Sequence, residues 1–492
     1  MSSSKSSPKR TIKGLFEEFS AFDLFYQITY MSATAAAGLP RRKVFELGAR
    51  IPSSIAPYFV RINDLVANLQ YDYPTACRMI GNDAHYEEVK SFLLRLADAL
   101  ESGDPLTTFL AREADAQGDQ YSNKYDRDVE SLKKWTDAYA SLIISEALLV
   151  IINLVSTMIY SMSSALMAGL LGVAVLMSFF GTWVLSRSAP RETMVVRPPA
   201  GSPEQRQIRG LFRLVGPITL AVSAILIALG VSGEAVMLLG AAVLIPIGLM
   251  SSASDKKLAA KEREISAFLR SLGGMATSTG TTLTEALSRM ELSSFPNLKP
   301  DVERLAKRLR ARIDPVICWQ RFSSETGSQL ITQVIDIFKD AVMLGGDPDE
   351  VSTRCSAFTS RTAQLRAKRK MVSSTFFWLT VVMHGALSSL LTLVLQIVLK
   401  FKSLVEAAID PDQVSAAMEV MEVPLLTFDT RQVMLLKVMA TGIVVLLVVV
   451  NAVSLLATDG GFKPKICLYL SILLAVSAIS LAIAPRLVSA IL

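Results

Sequence analysis

The chain alternates between polar segments and long apolar runs. Seven of these runs have about 20 residues and few charges, which is the length an α-helix needs to cross about 30 Å of hydrocarbon. The pattern therefore predicts seven membrane spans, of which the third and fourth are joined by a very short hairpin at Gly230–Glu234. The predicted spans are Tyr139–Tyr160, Ala165–Leu185, Leu211–Leu229, Val231–Met250, Phe376–Val398, Val433–Leu456 and Ile466–Val488.

Two polar segments, residues 1–138 and 252–375, are long enough to fold as domains. Apolar residues recur in both at spacings of three and four, without the alternation typical of strands, so both are expected to be helical. The expected fold class is an all-α polytopic membrane protein, with about seven transmembrane helices and two helical-bundle domains. Its parts in order are the first helical domain (1–138), a membrane hairpin (139–185), a linker (186–210), a second membrane hairpin (211–251), the basic second helical domain (252–375), a transmembrane helix (376–400), an acidic loop (401–431) and two C-terminal transmembrane helices (432–492).

The two helical segments resemble each other. Three pairs of short segments match in the same order at a nearly constant offset along the chain, which favours an internal duplication. The pairs are Met31-Ser-Ala-Thr with Met275-Ala-Thr-Ser, Tyr73-Pro-Thr-Ala-Cys77 with Asp314-Pro-Val-Ile-Cys318, and Gly103-Asp104-Pro105 with Gly346-Asp347-Pro348.

The paired Gly-Asp-Pro triplets are predicted to be turns at which a helix starts. Glycine permits the left-handed turn that ends one helix, aspartate caps the next helix, and proline suits its first turn. Each triplet precedes a long polar helix that leads toward a span, near Tyr139 in one copy and near Phe376 in the other. Such a helix either couples motion of the domain to the membrane or is simply a stable part of a helical hairpin.

Composition supports the membrane assignment. The 492 residues are 51% hydrophobic and 19% charged, whereas a soluble protein carries about a quarter charged residues. The four cysteines are widely spaced and suggest neither a disulfide framework nor a zinc site. No apolar segment follows Met1–Lys5, so no cleavable signal peptide is expected.

Motifs for catalysis are missing from the sequence. There is no P-loop for ATP and no HExxH motif, and the two histidines, His85 and His384, are far apart. We find no triad of nucleophile, base and acid. The sequence therefore predicts that the protein is not an enzyme and that it has no catalytic residue, cofactor or metal site.

The distribution of charge predicts the orientation in the membrane. The linker 186–210 and the segment 252–375 are rich in lysine and arginine, and Lys463 and Lys465 lie in the turn before the last span, whereas the loop 401–431 is acidic. Basic loops stay in the cytoplasm. We therefore expect a multi-pass protein of the cell membrane with a cytoplasmic N-terminus and an external C-terminus.

Two basic clusters in the second helical domain are candidate binding sites. One lies far from any span, and an acidic surface on a cytoplasmic protein is its preferred partner. The other adjoins the fifth span, where basic residues also fix orientation and meet anionic lipid. Neither has the aromatic residues typical of a nucleic-acid surface. The candidate docking residues are Arg304, Lys307, Arg308, Arg310, Arg312, Arg366, Lys368, Arg369 and Lys370.

Few polar residues fall within the predicted spans. Glu146, Lys437 and Arg486 lie near span ends, where their side chains are expected to reach the interface. For His384 we favour an interhelical hydrogen bond over a role in proton relay. Asn153 and Asn451 are the other polar residues within the spans.

Three segments resemble the type II secretion F family, the platform proteins of type II secretion, type IV pili and archaeal filaments. Phe268–Leu287 is similar to the first helical hairpin of that family. Phe92–Glu113 and Tyr125–Tyr139 are similar to its archaellum (archaeal flagellum) branch. The order of these motifs and the two-domain, many-span layout carry more of the resemblance than any single motif.

This resemblance implies a function. Members are platforms, usually homodimeric, on which filament subunits (archaellins or pilins) are assembled while a cytoplasmic hexameric ATPase docks to the helical domains. Membrane lipids are further partners, and nucleic acid is not. The platform of an archaellum-type motor is the expectation, with coupling to filament assembly and rotation. The alternatives are the platform of an adhesive archaeal-type pilus, a secondary transporter, and a receptor scaffold without an ATPase.

Overall fold

A computed structural model describes residues 19–159, 164–196, 201–408 and 430–491. Its described residues form α-helices and no strand, which confirms the predicted all-α fold class. The helices are α1 (Ala21–Ala36), α2 (Arg41–Gly48), α3 (Ala56–Leu69), α4 (Tyr73–Asn82), α5 (Glu87–Glu101), α6 (Leu106–Ile159), α7 (Ser164–Ser188), α8 (Pro203–Ala228), α9 (Gly233–Thr279), α10 (Leu283–Arg289), α11 (Lys299–Arg310), α12 (Pro315–Thr326), α13 (Gln329–Met343), α14 (Pro348–Ala408), α15 (Thr430–Asp459) and α16 (Ile466–Ile491).

The helices form two compact units. The helical unit contains the described residues of 1–126, 196–202 and 257–365, and the membrane unit contains those of 127–195, 203–256 and 366–492. Three long helices, α6, α9 and α14, contribute residues to both units. Most residues of the two predicted helical domains thus belong to one unit, and the domain boundaries given above stay a prediction.

The helical unit contains the same series of helices twice. The first repeat comprises α1–α5, and the second comprises the end of α9 followed by α10–α13. Three pairs of matching helices are separated by the same distance along the chain, which supports the internal duplication. Their first residues are Tyr73 of α4 and Pro315 of α12, Glu87 of α5 and Gln329 of α13, and Leu106 of α6 and Pro348 of α14.

Amphipathic helices form the core of each repeat. In α5, Val89, Phe92, Leu96 and Leu100 recur at intervals of three and four and are buried. Burying one such side chain stabilises a fold by about 1.5–3 kcal/mol. Tertiary packing of these apolar faces therefore supplies most of the stability of the short helices.

A polar contact joins the two repeats within the helical unit. The hydroxyl of Tyr30 in α1 donates a hydrogen bond of 2.8 Å to Asp340 in α13. Lys339 is buried beside it and lies 3.3 Å from Asp340 and 3.4 Å from Asp336. Burial, together with the negative charge of Asp340, raises the pKa of Tyr30 far above its ordinary value, so the hydroxyl stays a hydrogen-bond donor.

Six helices among the described residues are long and apolar enough to cross a membrane, namely α6, α8, α9, α14, α15 and α16. Six of the seven predicted spans lie in these helices, to within two residues at either end. The remaining prediction, Ala165–Leu185, falls in α7, which is not one of the six, so the count of seven is not confirmed. Most of the predicted acidic loop, residues 409–429, lies outside the described part of the chain.

Close packing of α9 against α14 in the helical unit requires a glycine. A Cβ atom at Gly273 would lie 2.3 Å from the carbonyl oxygen of Pro348 and 2.3 Å from the hydroxyl of Ser352. A Cβ atom at the neighbouring Gly274 would only reach Asp349, at 3.4 Å. The two helices therefore touch at one glycine and not at the next.

We predict that Gly273→Ala destabilises the protein by about 1–3 kcal/mol, because the added methyl group forces α9 away from α14. The measurement is thermal unfolding of the full-length protein in detergent. Gly274→Ala is the matched control, since it gains the same helix propensity, up to about 1 kcal/mol, without a clash. Equal midpoints for the two variants would contradict the predicted close packing.

Candidate functional site

The basic run that adjoins the fifth predicted span begins with a buried ion pair. The Arg366 side chain donates to Glu192 at 2.7 and 2.9 Å, and both side chains are less than a tenth exposed. Glu192 lies just after α7, so this pair ties α14 to the end of α7. Arg366 is therefore part of the packing of the membrane unit.

Arg369 is 2% exposed and acts as a structural donor. Its guanidinium donates to the carbonyl oxygens of Pro190 at 2.9 Å, Thr458 at 2.9 Å and Ala457 at 3.0 Å. Gly460, in a left-handed conformation with φ 65°, makes room for it, because a Cβ atom there would lie 2.2 Å from the guanidinium. Arg369 thereby satisfies carbonyl groups at the end of α15 that have no partner within the helix.

Lys370 belongs to a cluster that we call the ionic quartet, made of Asp255, Lys370, Asp459 and Lys465. Lys370 lies 2.6 Å from Asp255 and 3.0 Å from Asp459. Lys465 lies 3.2 Å from Asp255 and 2.7 Å from Asp459. Each lysine thus bridges both carboxylates, and the four formal charges cancel.

The quartet joins four helices where their apolar runs end. Asp255 lies in α9, Lys370 in α14 and Asp459 at the end of α15, while Lys465 immediately precedes α16. The side chains of both aspartates and of Lys465 are no more than 8% exposed, whereas that of Lys370 is 46% exposed. A buried charge is tolerated only when it is paired, so the quartet fixes these helix ends relative to one another.

The second basic cluster lies at the turn between α11 and α12 and is more open. Arg304 and Arg308 both bind Glu325, at 3.2 and 2.5 Å, and Arg304 also pairs with Asp301. The other three cations of the cluster, Lys307, Arg310 and Arg312, are exposed and have no ion-pair partner among the described residues.

Two exposed isoleucines lie beside these cations. Ile313 is 43% exposed and Ile317 is 45% exposed. We call the patch formed by Lys307, Arg310, Arg312, Ile313 and Ile317 the α11–α12 surface. Its mixture of unpaired cations and apolar side chains is typical of a binding surface for an acidic protein. Of the run 366–370, Lys368 and Lys370 are the exposed cations.

Arg312 has an unusual backbone conformation. Its φ is 57°, a left-handed value that costs a residue other than glycine about 1–2 kcal/mol. Gln70, at the matching position of the first repeat, has φ 55°, and these are the non-glycine residues with positive φ in the described part of the chain. In both repeats the amide that follows this residue closes the turn with a bond of 3.3 Å, but the bonds differ in span. The amide of Tyr71 donates to the carbonyl of Leu65, six residues earlier, and that of Ile313 donates to the carbonyl of Arg308, five residues earlier.

The helix-start turns differ from the predicted register by one residue. Gly103 is left-handed with φ 79°, but its counterpart in the second repeat is Gly345, with φ 100°, rather than Gly346. The separation of Gly103 and Gly345 along the chain equals that of the matching helices. The carboxylate of Asp347 accepts from the amide of Asp349 at 3.0 Å and so caps α14.

The first repeat has no equivalent cap. Pro105 directly precedes α6, and its carbonyl accepts hydrogen bonds from the amides of Thr108 and Phe109, each at 3.0 Å. Asp104 instead lies 3.6 Å from Arg112 in α6. In the second repeat Pro348 is the first residue of α14, so the triplets start their helices in two different ways.

Polar residues inside the spans hold helices together. His384 in α14 binds Ser477 in α16 at 2.8 Å and Asn451 in α15 at 3.3 Å, which confirms the interhelical hydrogen bond expected for it. Asn451 accepts a bond of 2.9 Å from Tyr139 in α6. The expectation for Glu146 was wrong, because its side chain is buried at 1% exposure and does not reach the interface. Lys437 and Arg486 are exposed, whereas the side chain of Asn153 is outside the described part.

Sequence reasoning missed three members of the ionic quartet. Asp255 and Asp459 are not among the candidate residues, and the sequence predicts only a role in membrane orientation for Lys465. In the sequence, these three residues have one feature in common: each is a charged residue within a few positions of an apolar run. Only the folded chain shows that these charges meet.

Comparison with known proteins supports the resemblance seen in the sequence. Residues 28–154 match the family described as Type II secretion system (T2SS), protein F. The chain is 25% identical over 432 residues to Flagella accessory protein J of Methanocaldococcus jannaschii, covering 85% of this chain and 75% of that protein. It is 23% identical over 303 residues to Flagella accessory protein J of Methanococcus voltae, covering 59% of this chain and 54% of that protein. No solved structure matches the chain.

We predict that Lys465→Met destabilises the protein by about 3–5 kcal/mol, because Asp255 and Asp459 are left with only the half-exposed Lys370 as a cation. The measurement is thermal unfolding of the full-length protein in detergent. Lys463→Met is the matched control, since Lys463 is exposed in the same short turn. If both variants shift the midpoint alike, the quartet does not hold the helix ends together.

We also predict that Arg312→Gly stabilises the protein by about 1 kcal/mol, because glycine adopts the left-handed conformation without strain. Arg310→Gly makes the same chemical change two residues earlier, at the last position of α11, and should destabilise by up to about 1 kcal/mol. Thermal unfolding of both variants tests the opposite signs. A lower midpoint for Arg312→Gly would show that its backbone is not strained.

Proposed function

We propose that this chain, which carries a type II secretion F domain, is the membrane platform protein of an archaellum-type motor. The observation that carries the proposal is the continuity of α6 and α14. Each begins directly after one of the two repeats and runs on into the membrane unit. A platform that turns motion of a cytoplasmic motor into filament assembly needs such a continuous connection.

A cytoplasmic hexameric ATPase is the proposed source of that motion. The sequence carries no P-loop, so the energy has to come from a partner. The α11–α12 surface suits this docking role because its three cations are exposed and form no ion pair with the residues that the structure describes. Complementary charge on the partner would speed association and fix its orientation, while the exposed isoleucines would add apolar contact area.

The long helices are the proposed transmission. α6 has 54 residues and α14 has 61, which correspond to lengths of about 80 and 90 Å at 1.5 Å per residue. Arg369 and the ionic quartet tie α14 to α9, α15 and the start of α16. A displacement of α14 would therefore move this set of helices together rather than one helix alone.

The remaining parts of the proposal follow from the family and from the distribution of charge. The chain is a multi-pass membrane protein, and we place its N-terminus in the cytoplasm and its C-terminus outside the cell. Filament subunits, a second copy of the chain and membrane lipids are its proposed partners, and it performs no catalysis of its own. Rotation of the filament is the proposed output beyond assembly.

The platform of an adhesive archaeal-type pilus is the second candidate. The description of the matching family names a secretion system and no type of filament. The family match therefore fits the platform of a pilus as well as the platform of a motor. The relatives that are called flagella accessory proteins favour the motor. Genes for motor components beside the gene of this chain would separate the two candidates.

We predict that reversing Lys307, Arg310 and Arg312 to glutamate weakens binding of the cognate ATPase about tenfold or more, which corresponds to about 1.4 kcal/mol. The cause is the loss of attraction to an acidic partner surface. The measurement is affinity between the full-length protein in nanodiscs and the purified ATPase at low and high salt. Binding by the unchanged protein should weaken as salt rises.

The control reverses three exposed cations of the first repeat and of α6, namely Arg41, Arg42 and Arg112. This variant changes the net charge by the same amount and should bind the ATPase normally. Equal loss in both variants would point to an unspecific charge effect. Unchanged binding by the first variant would exclude the α11–α12 surface as the docking site.

A further inference from the structure

One carboxyl group is buried inside the membrane unit. Glu146 lies in α6 where this helix packs against α14 and α15, and its side chain is 1% exposed. It lines a cavity of about 10 Å³, close to the space that one water molecule needs. The rest of the lining is apolar and includes Val150, Leu387, Leu391, Ile443 and Leu447.

The hydrogen bonds of Glu146 are incomplete. Its Oε2 accepts a bond from the hydroxyl of Ser178 in α7. Its Oε1 has no hydrogen-bond partner among the described residues, although it is buried. A carboxylate in hydrocarbon needs several donors or a cation, and one hydroxyl is not enough.

Among the described residues, no cation forms an ion pair with Glu146. The residues of α14 and α15 that line the cavity are aliphatic, and α7 presents Ser178. Two titratable groups of the same helices, Tyr139 in α6 and His384 in α14, have other partners. Tyr139 donates to Asn451, and His384 binds Ser477 and Asn451, so neither is bonded to Glu146.

We propose that Glu146 is a proton-binding site, at which the carboxyl group is held as the neutral acid while α6, α14 and α15 are packed together. As a neutral acid it needs only one donor and one acceptor. The bond from Ser178 provides the donor, and a single water in the cavity provides the acceptor. The ligand of this site is the proton, because a metal cation would need more oxygen ligands than Glu146 and Ser178 offer.

The site lies between the two helices that continue from the two repeats. Separation of α6 and α14 would admit water to the cavity, and the hydrated carboxyl would then release its proton. This link to motion rests on the proposed platform function, whereas the bound proton does not. Glu146 would therefore be neutral when α6 and α14 are packed together and charged when they are apart.

A hydrophobic carbodiimide tests the site, because it reacts with carboxylic acids in apolar surroundings. The acid proton moves to one nitrogen of the reagent and the carboxyl oxygen bonds to its central carbon. The adduct rearranges to an N-acylurea that keeps all atoms of both molecules. The full-length protein in nanodiscs is treated with dicyclohexylcarbodiimide at about pH 5 and about pH 8, and the peptide that contains Glu146 is analysed by mass spectrometry.

We expect the adduct on Glu146 at both pH values. The exposed Glu101 and Glu130 are internal controls, with side chains 61% and 66% exposed. The reagent needs the protonated acid, so a carboxyl group in water should not react at about pH 8. A reaction of Glu146 at about pH 5 that disappears at about pH 8 would overturn the proposal.

The variant Glu146→Gln supplies a second measurement that does not depend on access of the reagent. Glutamine copies the neutral acid, so this variant should match the thermal midpoint of the unchanged protein at about pH 5. An acid that stays protonated when folded but ionises when unfolded loses stability as pH rises. The unchanged protein should therefore fall below the variant between about pH 5 and pH 8. A constant difference over this range would overturn the proposal, whatever the outcome of ATPase binding.

Discussion

Pairing of charges at the ends of the apolar helices is the constraint on which the rest of the structure depends. A lysine or a carboxylate cannot be left alone where water is excluded, so each one has to meet a partner from another helix. Asp255, Lys370, Asp459 and Lys465 satisfy one another, and Arg369 satisfies carbonyl groups at the end of α15. These contacts hold the ends of four helices of the membrane unit together.

The duplication gives the chain two similar helical repeats with different surfaces. Gln70 and Arg312 occupy the same strained position in each repeat. In the second repeat, exposed cations that have no ion-pair partner among the described residues lie beside it. A strained residue persists when the surrounding structure determines its conformation or when its side chain has a use. The shared backbone therefore belongs to the fold, whereas the basic side chains of the second repeat are available for a partner.

The polar groups within the membrane unit fall into two kinds. His384, Asn451 and Tyr139 have partners on neighbouring helices and serve as interhelical contacts. Glu146 has a single donor and an apolar cavity beside it. Satisfied groups of the first kind stabilise one arrangement of helices. An unsatisfied carboxyl responds to any change that lets water reach it.

The sequence by itself determined the helical fold, indicated six of the helices that are long and apolar enough to cross a membrane, and showed the internal repeat and the resemblance to the secretion family. Helical periodicity, long apolar runs and internal repeats can all be recognised along the chain. It also located both basic clusters. Only the tertiary structure decided what these cations do, since Arg366 and Arg369 are buried against Glu192 and backbone carbonyls while Lys307 and Arg310 stay exposed. The physical reason is that the sequence does not show whether a charged side chain lies in water or in a buried ion pair, because the partner lies far away along the chain.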